Sequence, residues 1–151
     1  MSNVRHYRHE TINIQKKALL TYLEKNFRGE YLLDEPLARH TWYRIGGPGD
    51  FFVYPKDLED LIELLRYCQV IDVTRMYFMG EGANILASDV GYRGVIINLA
   101  RHFSDIAIRG TTVEASAGVF LKDLVLRCEE HQLGGLEYLA GIPGTVGGAL
   151  I

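Results

Sequence analysis

At 151 residues the chain is long enough for one ordinary domain or two small lobes. Hydrophobic residues make up 48% and charged ones 23%, with a formal net charge of -3, which offers no electrostatic footprint for DNA or an anionic membrane surface. No apolar run approaches the roughly 20 residues of a membrane span, and the N-terminus lacks a signal-peptide core. A phosphate bound here would be held by directed backbone dipoles rather than by bulk positive charge.

Residues 1–14 are polar and aperiodic and read as an arm; His6 and His9 are three apart, but no further ligand completes a metal site. Ala18, Leu19, Leu20, Tyr22 and Leu23 mark a first helix that ends near Gly29. Asp50–Tyr54 is a short apolar and aromatic run typical of a buried strand, stopped by Pro55. Leu58, Leu61, Ile62, Leu65 and Cys68 follow at helical spacing, with Asp57 as N-cap. Arg75–Met79 reads as the next strand, so Asp50–Met79 is one strand–helix–strand unit with a glycine-rich loop at its exit. Gly94–Leu99, Ile106–Arg109 and Thr112–Ser116 are further strands, the last two a hairpin turned by Gly110. Leu121, Leu124, Val125 and Cys128 mark a second amphipathic helix, which Gly134-Gly135 closes as a C-cap. Cys68 and Cys128 both fall on apolar helix positions and are expected to be buried thiols in a reducing cytoplasm rather than a disulfide. The fold class is mixed α/β.

Glycine is the unusual count: there are 16, and six lie between Gly134 and Gly148. Glycine inside a regular element costs about 0.5–1 kcal/mol relative to alanine, so local accumulation signals positive φ or very close approach. In Gly80-Glu81-Gly82-Ala83-Asn84, alternating positive φ would converge successive amides into a nest for a pyrophosphate. Asn84 suits the end of such a turn, and Glu81 is expected to point away from the phosphates. A Rossmann fingerprint fails because Ile85 stands at the sixth position and no helix follows; a Walker loop fails because neither glycine loop contains lysine. For this pentapeptide alone a plain surface turn is as good a reading as binding. Gly141 to Gly148, with four glycines and Pro143 in eight residues, is denser than a connection requires, and Thr145 offers a hydroxyl to a phosphate or ribityl oxygen. The two loops suggest opposite sides of one extended, phosphate-containing ligand.

The strings Gly80-Glu81-Gly82-Ala83-Asn84-Ile85-Leu86, Gly91-Tyr92-Arg93-Gly94-Val95-Ile96-Ile97, Gly135-Leu136-Glu137 and Ala140-Gly141-Ile142-Pro143-Gly144-Thr145-Val146-Gly147-Gly148-Ala149 occur in this order. Preceded by Thr41-Trp42-Tyr43-Arg44-Ile45-Gly46-Gly47, they resemble the UDP-N-acetylenolpyruvoylglucosamine reductase (UDP-N-acetylmuramate dehydrogenase) family from about Leu37 to the last residue. The resemblance implies a two-lobed FAD-binding domain of the vanillyl-alcohol-oxidase type, incomplete at the C-terminus. Residues 1–36 would be an arm and helix, 37–100 the first FAD-binding lobe and 101–151 the start of the second, with a weakly marked seam near Arg101–Ser104.

It further implies a bacterial cytoplasmic enzyme of peptidoglycan synthesis. There NADPH drives FAD-dependent reduction of UDP-N-acetylglucosamine enolpyruvate to UDP-N-acetylmuramate. Gly80, Glu81, Gly82, Ala83, Asn84 and Ile85 would meet the FAD pyrophosphate, the first five through backbone amides. Gly141, Ile142, Pro143, Gly144, Thr145, Gly147, Gly148 and Ala149 would line its pyrophosphate, ribityl and flavin side. Ala83 replaces a usual serine, removing one hydroxyl bond at a cost of about 0.5–1.5 kcal/mol. The family's catalytic groups would lie beyond Ile151, so no catalytic residue and no metal ligand is assigned here. No nucleic-acid partner and no membrane insertion are expected, and the oligomeric state is not legible. Two alternatives stand: a non-catalytic flavin- or nucleotide-binding module, and another oxidoreductase of the same flavin fold.

Overall fold

A computed structural model describes residues 15–151; the expected arm, with His6 and His9, lies outside the described residues. Helix α1 (residues 15–25) buries Leu19, Tyr22 and Leu23, three members of the predicted stripe. Strand β1 (Glu30–Pro36) follows, outside the expected first lobe. A single 3-10 turn (Leu37–Arg39) leads to β2 (Pro48–Tyr54), helix α2 (Leu58–Val70), β3 (Met76–Met79) and β4 (Tyr92–Asn98).

These strands form one sheet in the order β1-β2-β4-β3, β1 antiparallel to β2 and the other pairs parallel. The strand–helix–strand unit is present, but its strands are not neighbours: β4 lies between them. β2 and β4 read as continuous apolar runs because both faces of the sheet are covered. Phe51, Val53, Val95 and Ile97 face α1 and α2, packing on Leu19, Leu23, Leu61, Leu64 and Cys68. Alternate residues Phe52, Tyr54 and Ile96 face the other way, onto Leu37 and Met79. That second layer supports the glycine loops.

Asp57 caps α2 as expected, its carboxylate accepting from the Asp60 amide at 2.9 Å. Asp60 itself is fully buried, yet its two oxygens accept from the Arg28 and Lys56 amides at 3.0 and 2.9 Å, so the carboxylate ties two chain crossings together.

The hairpin of β5 (Ile106–Arg109) and β6 (Thr112–Ala115) is a separate two-stranded sheet, with Gly110 at φ +60° in its turn. Helix α3 (Leu121–Glu130) covers it, Leu124 and Cys128 packing with Val119, Ile106 and Val113. Both cysteines are free and buried. The expected Gly134-Gly135 cap is corrected. The left-handed residue is Gln132, at φ +58°, with Gln132 N–H donating to Glu129 O and Leu133 N–H to Cys128 O, both at 2.9 Å. Gly135, at φ +104°, turns the chain afterwards into a 3-10 turn (Glu137–Leu139), and a four-residue helix, α4 (Val146–Ala149), follows the second glycine loop.

Candidate functional site

Parallel strands β3 and β4 end side by side at Met79 and Asn98, where the first glycine loop leaves the sheet. Asn98 fixes that exit: its Nδ2 donates to Gly80 O at 2.8 Å and its Oδ1 accepts from the Ala100 amide at 3.0 Å. The sequence reading did not single out Asn98, although a polar residue ending the apolar run Gly94–Leu99 was the available signal.

Gly82 sits at φ +72° with its Cα pressed against the His40 carbonyl, and its own carbonyl accepts from the Trp42 amide at 3.1 Å. The segment Thr41–Gly47 thus clasps the loop from behind. The Thr41 hydroxyl donates to Ile45 O at 2.9 Å and closes the clasp. The Gly47 amide donates to Ser88 O at 2.9 Å, holding the far end of the loop. Ile85 turns inward onto the layer formed by Leu37, Phe52 and Met79. Among the described residues, none of the four amides from Glu81 to Asn84 donates to a protein acceptor, while a tight turn over Ala83-Asn84 brings the Ile85 amide back toward Gly82. A run of consecutive N–H groups without acceptors is what a bound diphosphate would complete.

The nest needs one correction. Only Gly82 in this loop has positive φ; Gly80 is glycine because a Cβ there would overlap the Thr145 hydroxyl. The two loops therefore touch at Gly80 and Thr145, and at Gly144, with φ +116°, an added side-chain carbon would meet only the Ala83 methyl. Thr145 is 3% exposed and turns inward instead of presenting its hydroxyl to solvent; Oγ1 accepts from the Gly148 amide at 3.4 Å, capping α4. The Val146 and Gly147 amides donate to Val119 and Ala117 carbonyls, each at 2.8 Å, so the second loop is anchored to the second sheet's surroundings. Glu137 steadies the approach: its carboxylate accepts from the Gly135 amide at 2.8 Å, and its own amide together with that bond lowers its pKa.

Between the loops lies a cleft of about 530 Å³, lined by Trp42, Glu81, Phe120, Lys122, Asp123 and the stretch from Ala140 to Gly144. Glu81, expected to point away, is thus among the lining residues. His40 is the C-cap residue of the 3-10 turn Leu37–Arg39, its amide donating to Leu37 O at 2.9 Å. Its ring stacks on Phe52 at 4.2 Å and Nε2 donates to the buried Glu35 carboxylate at 3.0 Å. His131 is the C-cap residue of α3, with Nδ1 2.9 Å from Arg127 O. His102 is exposed, and among the described residues Arg44 makes no ion pair and no group of three metal-ligating side chains exists.

A family model described as an FAD binding domain matches residues 49–151. The UDP-N-acetylenolpyruvoylglucosamine reductase of Geobacter metallireducens is 47% identical over 132 residues, covering 87% of this chain and 44% of the relative. That of Heliobacterium modesticaldum is 40% identical, covering 87% and 41%. The chain thus spans under half the length of the curated relatives it matches. Among solved structures, the corresponding reductase of Thermus caldophilus superposes with a TM-score of 0.63 at 31% identity, covering 82% of this chain and 41% of that one. A cholesterol oxidase of Brevibacterium sterolicum reaches a TM-score of 0.62 at 19% identity over 83% and 25%, and shares the fold alone. This mixed α/β chain, with its two glycine loops meeting at a cleft, belongs to the FAD binding domain family, and its curated relatives are UDP-N-acetylenolpyruvoylglucosamine reductases.

Proposed function

We propose that this chain supplies the FAD-holding portion of a reductase that converts UDP-N-acetylglucosamine enolpyruvate to UDP-N-acetylmuramate for bacterial peptidoglycan synthesis in the cytoplasm. The observation that carries this is the first glycine loop: four successive amides without a protein acceptor, set on the exits of two parallel strands and facing a second glycine loop. Crevices beyond the carboxyl ends of parallel strands are where open α/β sheets bind ligands. The names of the relatives supply the substrate.

In this reading residues 37–100, together with β1, form the first FAD-binding lobe, and 101–151 begin the second. The amides from Gly80 to Ile85 hold the diphosphate. Gly141, Ile142, Pro143 and Gly144 form the opposite wall, and Thr145, Gly147, Gly148 and Ala149 hold that wall at its distance from Gly80. Bound FAD supplies two-electron hydride chemistry, with NADPH as donor and the enolpyruvyl group as acceptor. This chain's residues bind and orient it; no group among them is assigned to proton transfer, and substrate engagement belongs to the longer enzyme.

The test is direct. The purified chain should carry, or take up when supplied, a yellow chromophore released on denaturation as FAD. It should not by itself oxidise NADPH in the presence of the enolpyruvyl substrate. A chain that neither binds added FAD nor is stabilised by it defeats the reading. Turnover by the chain alone would show that catalytic groups lie within it.

A further inference from the structure

We propose that Trp42 is a cofactor-contacting residue: its indole is the aromatic wall of the cleft between the two loops, and one planar ring of FAD lies against it. The inference rests on the FAD reading and adds to it a residue outside both glycine loops. Trp42 is 56% exposed, a large apolar surface to leave in water. Its position is nevertheless fixed, because its amide donates to the carbonyl of Gly82, the central residue of the nest, at 3.1 Å. The same turn is braced by the Thr41 hydroxyl and by the stacked His40 ring. The backbone that carries the indole is therefore held in register with the amides that lack acceptors.

The rest of the cleft has matching chemistry. Phe120, Ile142 and Pro143 give it an apolar side, and Ile142 is itself exposed. Lys122 is the cation among the lining residues, beside the two carboxylates Glu81 and Asp123. A flat apolar wall beside a diphosphate cradle suits a molecule that joins an aromatic ring to phosphate through a short sugar-like spacer. FAD has two such rings, isoalloxazine and adenine, and both present the chemistry that an indole face recognises.

The experiment measures the affinity of the 151-residue chain and of its W42A and W42F variants for FAD, FMN and ADP. Base–aromatic stacking predicts that W42A weakens FAD binding roughly tenfold or more. W42F should recover most of that loss. The half-molecule that loses affinity in W42A names the ring: FMN for isoalloxazine, ADP for adenine. Because Trp42 is the chain's single tryptophan, its emission should also shift when that half-molecule binds. FAD binding within about twofold of wild type in W42A overturns this proposal and leaves the FAD reading standing. A loss that phenylalanine does not recover, or a loss for FAD that neither half-molecule shares, overturns it too. If the wild-type chain binds no FAD, both readings fall. W42F keeps the test open should W42A fold poorly.

Discussion

Gly82 has two independent reasons to lack a side chain: a φ of +72° and the His40 carbonyl against its Cα. Replacing it with alanine should cost about 1–3 kcal/mol in backbone strain alone, and relieving the clash must move either the nest or the Thr41–Gly47 clasp. Gly82→Ala should therefore lower stability in urea and weaken FAD binding together; a variant that binds FAD like wild type would show that the loop is not the cradle. Cys68 makes a different kind of prediction. Burial among α1 and the sheet raises its pKa from 9.0 to about 11. A raised folded pKa favours the neutral thiol, so this stabilising effect is complete below pH 9 and fades as the pH climbs toward 11. At pH 8 a thiol reagent should label Cys68 only as fast as the chain opens, read by mass spectrometry; rapid labelling of the folded chain would contradict the packing.

The helices show which local signals carried the fold. α2 was legible from period and cap together, since Asp57 accepts from the Asp60 amide and that bond is the largest cause of its lowered pKa. A carboxylate pKa lowered on folding stabilises the chain above the ordinary carboxylate range, and the effect is lost as pH falls through the lowered value. Asp57→Ala should accordingly be less stable than wild type at pH 7, with the gap narrowing as denaturation is followed into acid; a gap independent of pH would assign the loss to something other than the charged cap. The helix ends were less legible. α2 and α3 close on Asp72 and Gln132 in the left-handed region, at φ +57° and +58°, which aspartate tolerates but glutamine does not favour. Gln132→Gly should stabilise the chain by about 0.5–1 kcal/mol, measured by denaturant titration, because it relieves that conformation at an exposed site. β1 escaped prediction because Glu30–Pro36 is a half-polar edge strand without alternation. α4 escaped because Val-Gly-Gly-Ala has no period; its place is set by the Thr145 cap and by bonds to Val119 and Ala117, remote in sequence.

Over the whole molecule, the density of glycine announced a site, but the reason for Gly80 lay beyond local reading: it is the seat of Thr145, a residue far along the chain. That contact joins the four-stranded sheet, which carries the first loop, to the region around the hairpin and α3, which carries the second. Gly118, close against the Leu99 and Phe103 carbonyls, makes a second junction between the same regions. A ligand spanning both loops should therefore stabilise the chain as one unit: FAD at 100 times its Kd adds about 2.7 kcal/mol, or roughly 5–10 °C in Tm for a chain of this size. Gly80→Ala tests whether the spacing of the loops produces that gain. The added methyl must displace the Thr145 hydroxyl and with it the wall from Gly141 to Gly144, while the Gly118 junction and both hydrophobic clusters stay intact. The variant should keep wild-type far-ultraviolet dichroism yet lose most of the FAD-dependent rise in Tm. If the rise survives undiminished, each loop is positioned by its own sheet, and the contact between Gly80 and Thr145 is packing without consequence for the cofactor.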